Sequence, residues 1–274
     1  MRAEQFDAEM RPVMPLVEYD YGEPIRMGFI PDTHNDPDHK SDSLKVMRTL
    51  GSLFKKEEVD VIVHIGDCND MASLSMWDKG KLAFEGRRLT RDLRFSKECL
   101  NTFKDALGDR VDSVDMYMTE GNHEDRLYRL YRDHAEMNGA FGDDPFGYKE
   151  SGFDVHPYLA MLGINGVLFS HYFQNPNAIM GGPVSGTIEN CLKNLGHSFA
   201  MGHQQRFAYG QMHRGNGRID CGLIAGACYI PDHSYKGPQG NSHWKGAIIL
   251  DNMNNGYYDL RQYGLKSLIK GYYG

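Results

Sequence analysis

The sequence predicts an α/β fold in which a first half of alternating strands and helices gives way to a second half built from hairpins. Three observations carry the prediction: a strand, helix and strand pattern over residues 25–67, an amphipathic stretch over residues 87–107 that leads into another strand, and three glycine-bearing turn signals after residue 160. With 274 residues, 41 % of them apolar and 24 % charged, the chain is long enough for one large domain with a substantial core and lies far from the composition of disordered proteins.

Residues 1–24 read as an N-terminal arm, and a single domain is expected over residues 25–274. The arm mixes Arg2, Glu4, Asp7, Glu9 and Arg11 with scattered apolar residues, so no apolar core for a signal peptide is expected there. The first strand is expected over Ile25–Pro31, before a loop rich in Asp and His. A helix follows, which Ser41 or Asp42 can cap, and Leu44, Met47, Leu50 and Phe54 recur at helical spacing up to the charged run Lys55–Glu58. Val59–Ile65 (VDVIVHI) is rich in β-branched residues, as a buried parallel strand is, and ends at Gly66-Asp67, completing a βαβ unit. A long helix over Arg87–Leu107 carries Leu89, Leu93, Leu100, Phe103 and Leu107 on one face and ends at Gly108. Val111, Val114, Met116 and Met118 then alternate along a third strand that runs into Gly121-Asn122-His123-Glu124. A helix over Asp125–Met137 and a surface excursion over Asn138–Gly152, marked by glycines, aspartates and Pro145, close the first half. Beyond them Asn165-Gly166, Gly215-Asn216-Gly217 and Asn254-Asn255-Gly256 stand between apolar runs as hairpin turns, which predicts a second, mostly antiparallel sheet interrupted by one helix near Thr187–Leu195.

Charge and cysteine usage exclude several classes of function. A formal charge of −7 and a pI of about 5.9 argue against wholesale non-specific binding to nucleic acid or to anionic membranes. The five cysteines, Cys68, Cys99, Cys191, Cys221 and Cys228, are odd in number and form no C-x-x-C pair, so neither a disulfide framework nor a zinc ribbon is indicated and a cytoplasmic location is expected. No stretch approaches the roughly 20 apolar residues of a membrane span. The oligomeric state is left open by the sequence.

Five short motifs carry the chemistry: Asp32-Thr33-His34 after the first strand, Gly66-Asp67 after the second, Gly121-Asn122-His123-Glu124 after the third, then His171 after VLFS and Gly202-His203 after SFAM. Each lies where a strand gives way to a loop, and loops beyond the carboxyl ends of strands converge on one crevice in α/β sheets. Carboxylate, imidazole and amide oxygen are the donors of a two-cation site, in which cations roughly 3.5–4 Å apart neutralise a phosphate ester and lower the pKa of a bound water. An imidazole that binds no cation can protonate the leaving oxygen.

In these motifs the chain resembles the calcineurin-like metallophosphoesterases, whose pattern is D-x-H, G-D-x-x-D, G-N-H-D/E, a lone His and G-H-x-H. The match runs from Asp32 to Gln205. The resemblance implies a four-layer α/β/β/α sandwich, two mixed sheets packed together with helices outside. It implies that Asp32 and His34 hold a first metal, that Asp67 bridges both, and that Asn122, His171 and His203 hold a second. His123 would contact the substrate phosphate and act as the general acid for attack by a metal-bound hydroxide. Asp70, the second acidic residue of GDCND, is expected on the substrate side and behind the ligands. One departure stands out: the run Gly202-His203-Gln204-Gln205 puts Gln205 at the position of a first-metal ligand. The expected cofactor is therefore a pair of divalent ions, manganese first, with magnesium, iron, zinc and nickel as alternatives. The expected reaction is hydrolysis of phosphodiesters, with DNA or RNA as candidate substrates. The alternatives are a phosphomonoesterase acting on nucleotides, small phosphates or phosphoprotein, and a catalytically reduced binding or scaffold protein.

Other residues invite a functional reading but have a plainer one. His64, inside the second strand, reads as a packed strand histidine, and Cys68 as a small buried thiol. Asp36, Asp38 and His39 extend the first loop and read as solvating it. His213, His233 and His243 read as surface histidines near glycine-rich turns. Arg87, Arg91 and Arg94 fall within about 60° of one another on a helical wheel and read as a solvated face, with a track for a phosphate backbone as the alternative. Arg126, two residues after GNHE, is the stronger candidate for a phosphate contact.

Overall fold

The computed structural model describes residues 16–175, 182–232 and 243–273. In chain order its strands are β1 (Val17–Tyr19), β2 (Ile25–Ile30), β3 (Val61–His64), β4 (Asp115–Thr119), β5 (Phe153–His156), β6 (Leu162–Ile164), β7 (Val167–Phe169), β8 (Phe199–Met201), β9 (Phe207–His213), β10 (Ile219–Ala225), β11 (Gly246–Asn254) and β12 (Tyr257–Gly264). The helices are α1 (Lys40–Lys56), α2 (Leu89–Leu107), α3 (Asp125–Asp133), α4 (Ile188–Leu195) and α5 (Leu265–Tyr273). Two six-stranded mixed sheets result, with orders β12-β11-β2-β3-β4-β5 and β1-β6-β7-β8-β10-β9.

Alternation along the strands sorts the apolar residues into three cores. Met27, Phe29, Val61, Val63, Tyr117, Ile248 and Leu250 of the first sheet meet Leu162, Ile164, Phe169, Leu223 and Ala225 of the second. Their neighbours Ile30, Ile62, Met116, Met118 and Ile249 face the other way and pack with α1, α2 and α5. Phe199, Met201 and Ile224 cover the outer face of the second sheet together with Ile188, Cys191 and Leu192 of α4. The layers are thus helix, sheet, sheet and helix, the expected sandwich. No helix among the described residues is long and apolar enough to cross a membrane.

Several boundaries move for local reasons. Helix α1 starts at Lys40, ahead of Ser41 and Asp42, because a 3-10 turn over Pro37–His39 leads into it and is capped by Asp36, whose side chain accepts from Asp38 N at 3.0 Å. Residues 108–112 continue α2 as a 3-10 turn, so β4 begins only at Asp115. Helix α3 stops at Asp133, and a 3-10 turn over Ala135–Met137 takes its place. Residues 17–19 of the expected arm form β1, paired in parallel with β6.

The three hairpins form where the turn residues place them. Asn165 and Gly166, like Asn255 and Gly256, have φ of 44°, 78°, 49° and 82°, the left-handed pair that a two-residue hairpin turn needs. The second sheet is nevertheless not mostly antiparallel. The β11–β12 hairpin joins the first sheet beside β2, and β1–β6, β7–β8 and β8–β10 pair in parallel. A turn signal specifies two neighbouring strands; it does not specify which sheet receives them. The excursion over residues 138–152 is also only partly a surface feature, since Phe146 and Tyr148 are each 1 % exposed and anchor it to the core.

Candidate metal centre

Strands β2, β3 and β4 run parallel and in register, so their carboxyl ends lie side by side and project Asp32, Asp67 and Asn122 into one crevice. Strands β7 and β8 of the second sheet bring His171 and His203 to the same place. Backbone bonds lace the first two loops together: Thr33 N and His34 N both donate to Asp67 O, at 3.2 and 2.9 Å. The motif glycines make room for the carboxylates. A Cβ on Gly121 would lie 2.2 Å from Asp67 Oδ1, and one on Gly202 would lie 2.2 Å from Asp32 Oδ1. His34, Asp67, His203 and Gln205 all adopt left-handed backbone, with φ between 43° and 62°. Such strain costs on the order of 1–3 kcal/mol per residue and persists where the surroundings hold it, most often at functional sites.

Two groups of ligand-type atoms result. Those of His34, Asp67 and His123 lie within 4.8 Å of one another, and so do those of Asp67, His171 and His203. Asp67 belongs to both, as a bridging residue must. The donor chemistry fits cations. His171 donates from Nδ1 to Ile65 O at 2.8 Å, which leaves the lone pair on Nε2 facing Asn122 Oδ1 at 3.1 Å and Asp67 Oδ2 at 3.3 Å. His203 Nδ1 lies 2.8 Å from the same Asn122 oxygen. A lone pair set against oxygens calls for a proton or a cation between them.

The titration of these groups shows the same tension. Burial works to lower the pKa of His171, but Asp67 and Asp32 outweigh it and push it up to about 9. Burial, helped by the charge of His171, brings His203 down to about 4. Burial raises Asp32 to about 7, while for Asp67 it is outweighed by His123 and His171, which hold that carboxyl well below the usual range. A divalent cation would take the place of the shared protons and satisfy both acids and imidazoles.

His34 turns Nδ1 towards Asp70 Oδ1 at 3.4 Å and its Nε2 towards the centre. His123 is placed differently. Its Nδ1 donates to Asp70 O at 2.7 Å, and Arg126 Nη2 stands 3.1 Å from its Nε2. Arg126 is anchored by donating to Asp70 O at 2.9 Å. Asp70 faces both imidazoles, His34 and His123, at 3.4 Å each, and so orients them from behind. Gln205 reaches the first group with its amide nitrogen, 2.7 Å from His34 Nε2.

The remaining candidates take up plainer positions. His64 accepts from Gly66 N at 3.2 Å and meets Thr33 Oγ1 at 3.1 Å, fully packed as expected. Burial pushes the Cys68 thiol up to about 12, so it is inert. Asp36 does not solvate its loop as expected but is buried, capping the turn at Asp38 N and pairing with Arg87, and Asp38 pairs with both Arg87 and Arg91, which joins most of the basic stripe to carboxylates. His39 is exposed, and His213 is exposed at the end of β9 away from the centre. His233 lies outside the described residues. Sequence reasoning missed Glu124, the last letter of GNHE. It is fully buried and accepts from Asp67 N, Asn69 N and Gly121 N at 2.8–3.0 Å and from Tyr148 OH at 3.0 Å, tying the second loop to the third. Its signal was its place as the acidic last position of the G-N-H-D/E motif.

A two-sheet sandwich with a carboxylate shared between two clusters of imidazoles at its strand ends is the architecture of a metal-dependent hydrolase. The chain belongs to the calcineurin-like phosphoesterase family, whose sequence profile matches residues 25–218. It is therefore a metal-dependent phosphoester hydrolase of a family that uses two divalent metals. Among solved structures it is similar to a dimetal phosphatase from Danio rerio, at 14 % identity and a TM-score of 0.45 over 89 % of this chain and 97 % of that one. It is also similar to Yfce, a phosphoesterase from E. coli, at 14 % identity and a TM-score of 0.38 over 88 % and 100 %. No curated protein matches the chain.

Proposed function

We propose that the chain hydrolyses phosphodiesters in nucleic acid, with manganese as the preferred metal. The observation that supports this substrate class is the segment between Asp70 and α2. It leaves the centre directly after Asp70 and carries Met76, Trp77 and Leu82, each more than 80 % exposed, beside Lys79 and Lys81, of which Lys81 pairs with Asp78 at 3.7 Å. An exposed aromatic ring among cations suits stacking on unpaired bases, which is worth roughly 1–3 kcal/mol per base. The stripe on α2 supplies less, because Asp36 and Asp38 engage Arg87 and Arg91. The five cysteines are all buried and free, which supports a reducing cytoplasm.

Two divalent ions supply charge neutralisation at the phosphoryl group and a water of lowered pKa. Asp32, His34 and Asp67 would hold one, and Asp67, Asn122, His171 and His203 the other. His123 is the general acid. Burial opposes its charged form, but Asp67 and Asp70 outweigh burial and raise its pKa, which favours the protonated ring that a general acid needs. Asp70 O holds Nδ1, which leaves Nε2 to deliver that proton to the leaving oxygen. A phosphoryl oxygen bound beside Arg126 would accept from its guanidinium and, once Nε2 carries a proton, from His123.

The test is a panel of bis-p-nitrophenyl phosphate, p-nitrophenyl phosphate, single-stranded DNA and duplex DNA with added Mn²⁺. Cleavage of the diester and of single-stranded DNA is expected, with Trp77→Ala slowing the polymer severalfold and sparing the small diester. Hydrolysis of the monoester alone overturns the substrate class.

A further inference from the structure

Two side-chain amides reach the centre, and they face it with opposite ends. Asn122 directs its oxygen at the ring nitrogens of His171 and His203, at 3.1 and 2.8 Å. Gln205 directs its nitrogen at His34 Nε2. Tyr229 accounts for that orientation. Its hydroxyl donates to Gln205 Oε1 at 2.9 Å, which turns the carbonyl end away from the centre.

Tyr229 is well placed to hold this bond. It is 3 % exposed and its ring stands edge-on to His34 at 5.5 Å and 86°. Lys245 Nζ lies over the ring at 4.4 Å from the centroid, and His243 Nε2 lies 3.1 Å from the hydroxyl. The left-handed backbone at Gln205, with φ of 54°, fixes the side chain's point of departure. An amide nitrogen has two N–H donors and no lone pair to give a cation, whereas a phosphoryl oxygen is an acceptor that such donors suit.

We propose that Gln205, held by Tyr229, is a hydrogen-bond donor to a phosphoryl oxygen and not a metal ligand. The inference rests on the phosphoester reading of the site. It makes Gln205 a substrate-binding residue at the position where the family pattern has a ligand histidine, and Tyr229 a positioning residue behind it.

Isothermal titration distinguishes the two roles, first with Mn²⁺ and then with inorganic phosphate added to the Mn²⁺-loaded protein. Gln205→Ala should leave the number of bound Mn²⁺ ions unchanged and their affinity within about threefold, and should weaken phosphate about tenfold, the effect of losing a hydrogen bond to a charged group. Tyr229→Phe, which removes only the hydroxyl, should weaken phosphate by about threefold with Mn²⁺ again unchanged. In the Gln205→Ala background Tyr229→Phe should have no further effect. Loss of one Mn²⁺ in Gln205→Ala overturns the proposal and makes Gln205 a ligand. Unchanged phosphate affinity in a Gln205→Ala protein that binds both ions overturns it as well. Wild-type protein that hydrolyses no ester and binds no phosphate would instead bring down the functional reading on which the inference stands.

Discussion

His64 should make the metal-free protein sensitive to mild acid, and the size of the effect follows from its surroundings. Its Nδ1 accepts from Gly66 N, so the ring proton sits on Nε2 against Thr33 Oγ1, and the buried ring has no room for a second proton. Burial, reinforced by the charge of His171, lowers its pKa from 6.5 to about 3. The folded pKa is depressed, so between these values the unfolded chain binds a proton that the folded chain does not. The associated stability is present above pH 6.5 and is lost as pH falls towards 3. One proton corresponds to about 1.4 kcal/mol per pH unit, so lowering the pH from 7 to 5 removes about 2 kcal/mol. Glutamine at this position cannot titrate and keeps a donor near Thr33. Urea unfolding of both proteins in chelator at pH 7 and pH 5 gives the comparison, because other acid-sensitive groups act equally in both. Wild type should lose about 2 kcal/mol more than His64→Gln over that interval. Equal losses would refute the assignment of a buried, neutral His64.

Three further outcomes are expected. Asp67→Asn should abolish turnover and lower metal content, read by elemental analysis, because a bridging carboxylate serves both ions. His123→Ala should slow a poor leaving group by on the order of 10²–10⁴ with metal content unchanged, and a leaving group of low pKa should mask much of that loss; equal slowing of both would mean positioning in place of acid catalysis. The first metal site should bind more weakly than the second, giving purified protein with fewer than two metals and activity that rises with added Mn²⁺, and Gln205→His should tighten that site and remove the dependence. Tight, equal occupancy in wild type would contradict this last expectation.

The centre was legible in the sequence because each motif is local and its chemistry resides in residue type. Asp32, His34, Asp67, Asn122, His171 and His203 required no knowledge of the fold beyond strand ends that converge. What escaped depends on long-range contacts. The orientation of Gln205 is set by Tyr229, on a segment that follows another strand. Arg87 and Arg91 looked like an open basic face until the first loop brought Asp36 and Asp38 against them. Tyr148 sat in a stretch whose glycines and aspartates signalled only a loop, yet it completes the bonding of Glu124. The β11–β12 hairpin was correctly paired within itself, and its sheet was decided by the edge of β2 that it found.

The division of the candidate ligands between the two sheets has a consequence for the chain as it is made. Asp32, His34, Asp67 and Asn122 leave the ribosome first, and His171 and His203 follow later, His203 about 80 residues after Asn122. At roughly 5–20 residues per second that interval lasts about 4–16 s. During it the nascent chain displays acidic and amide oxygens without the imidazoles that complete the second site. Until β8 docks, an ion captured early would lack the His203 ligand. A site whose candidate ligands are divided in this way would be complete only once the second sheet has packed on the first.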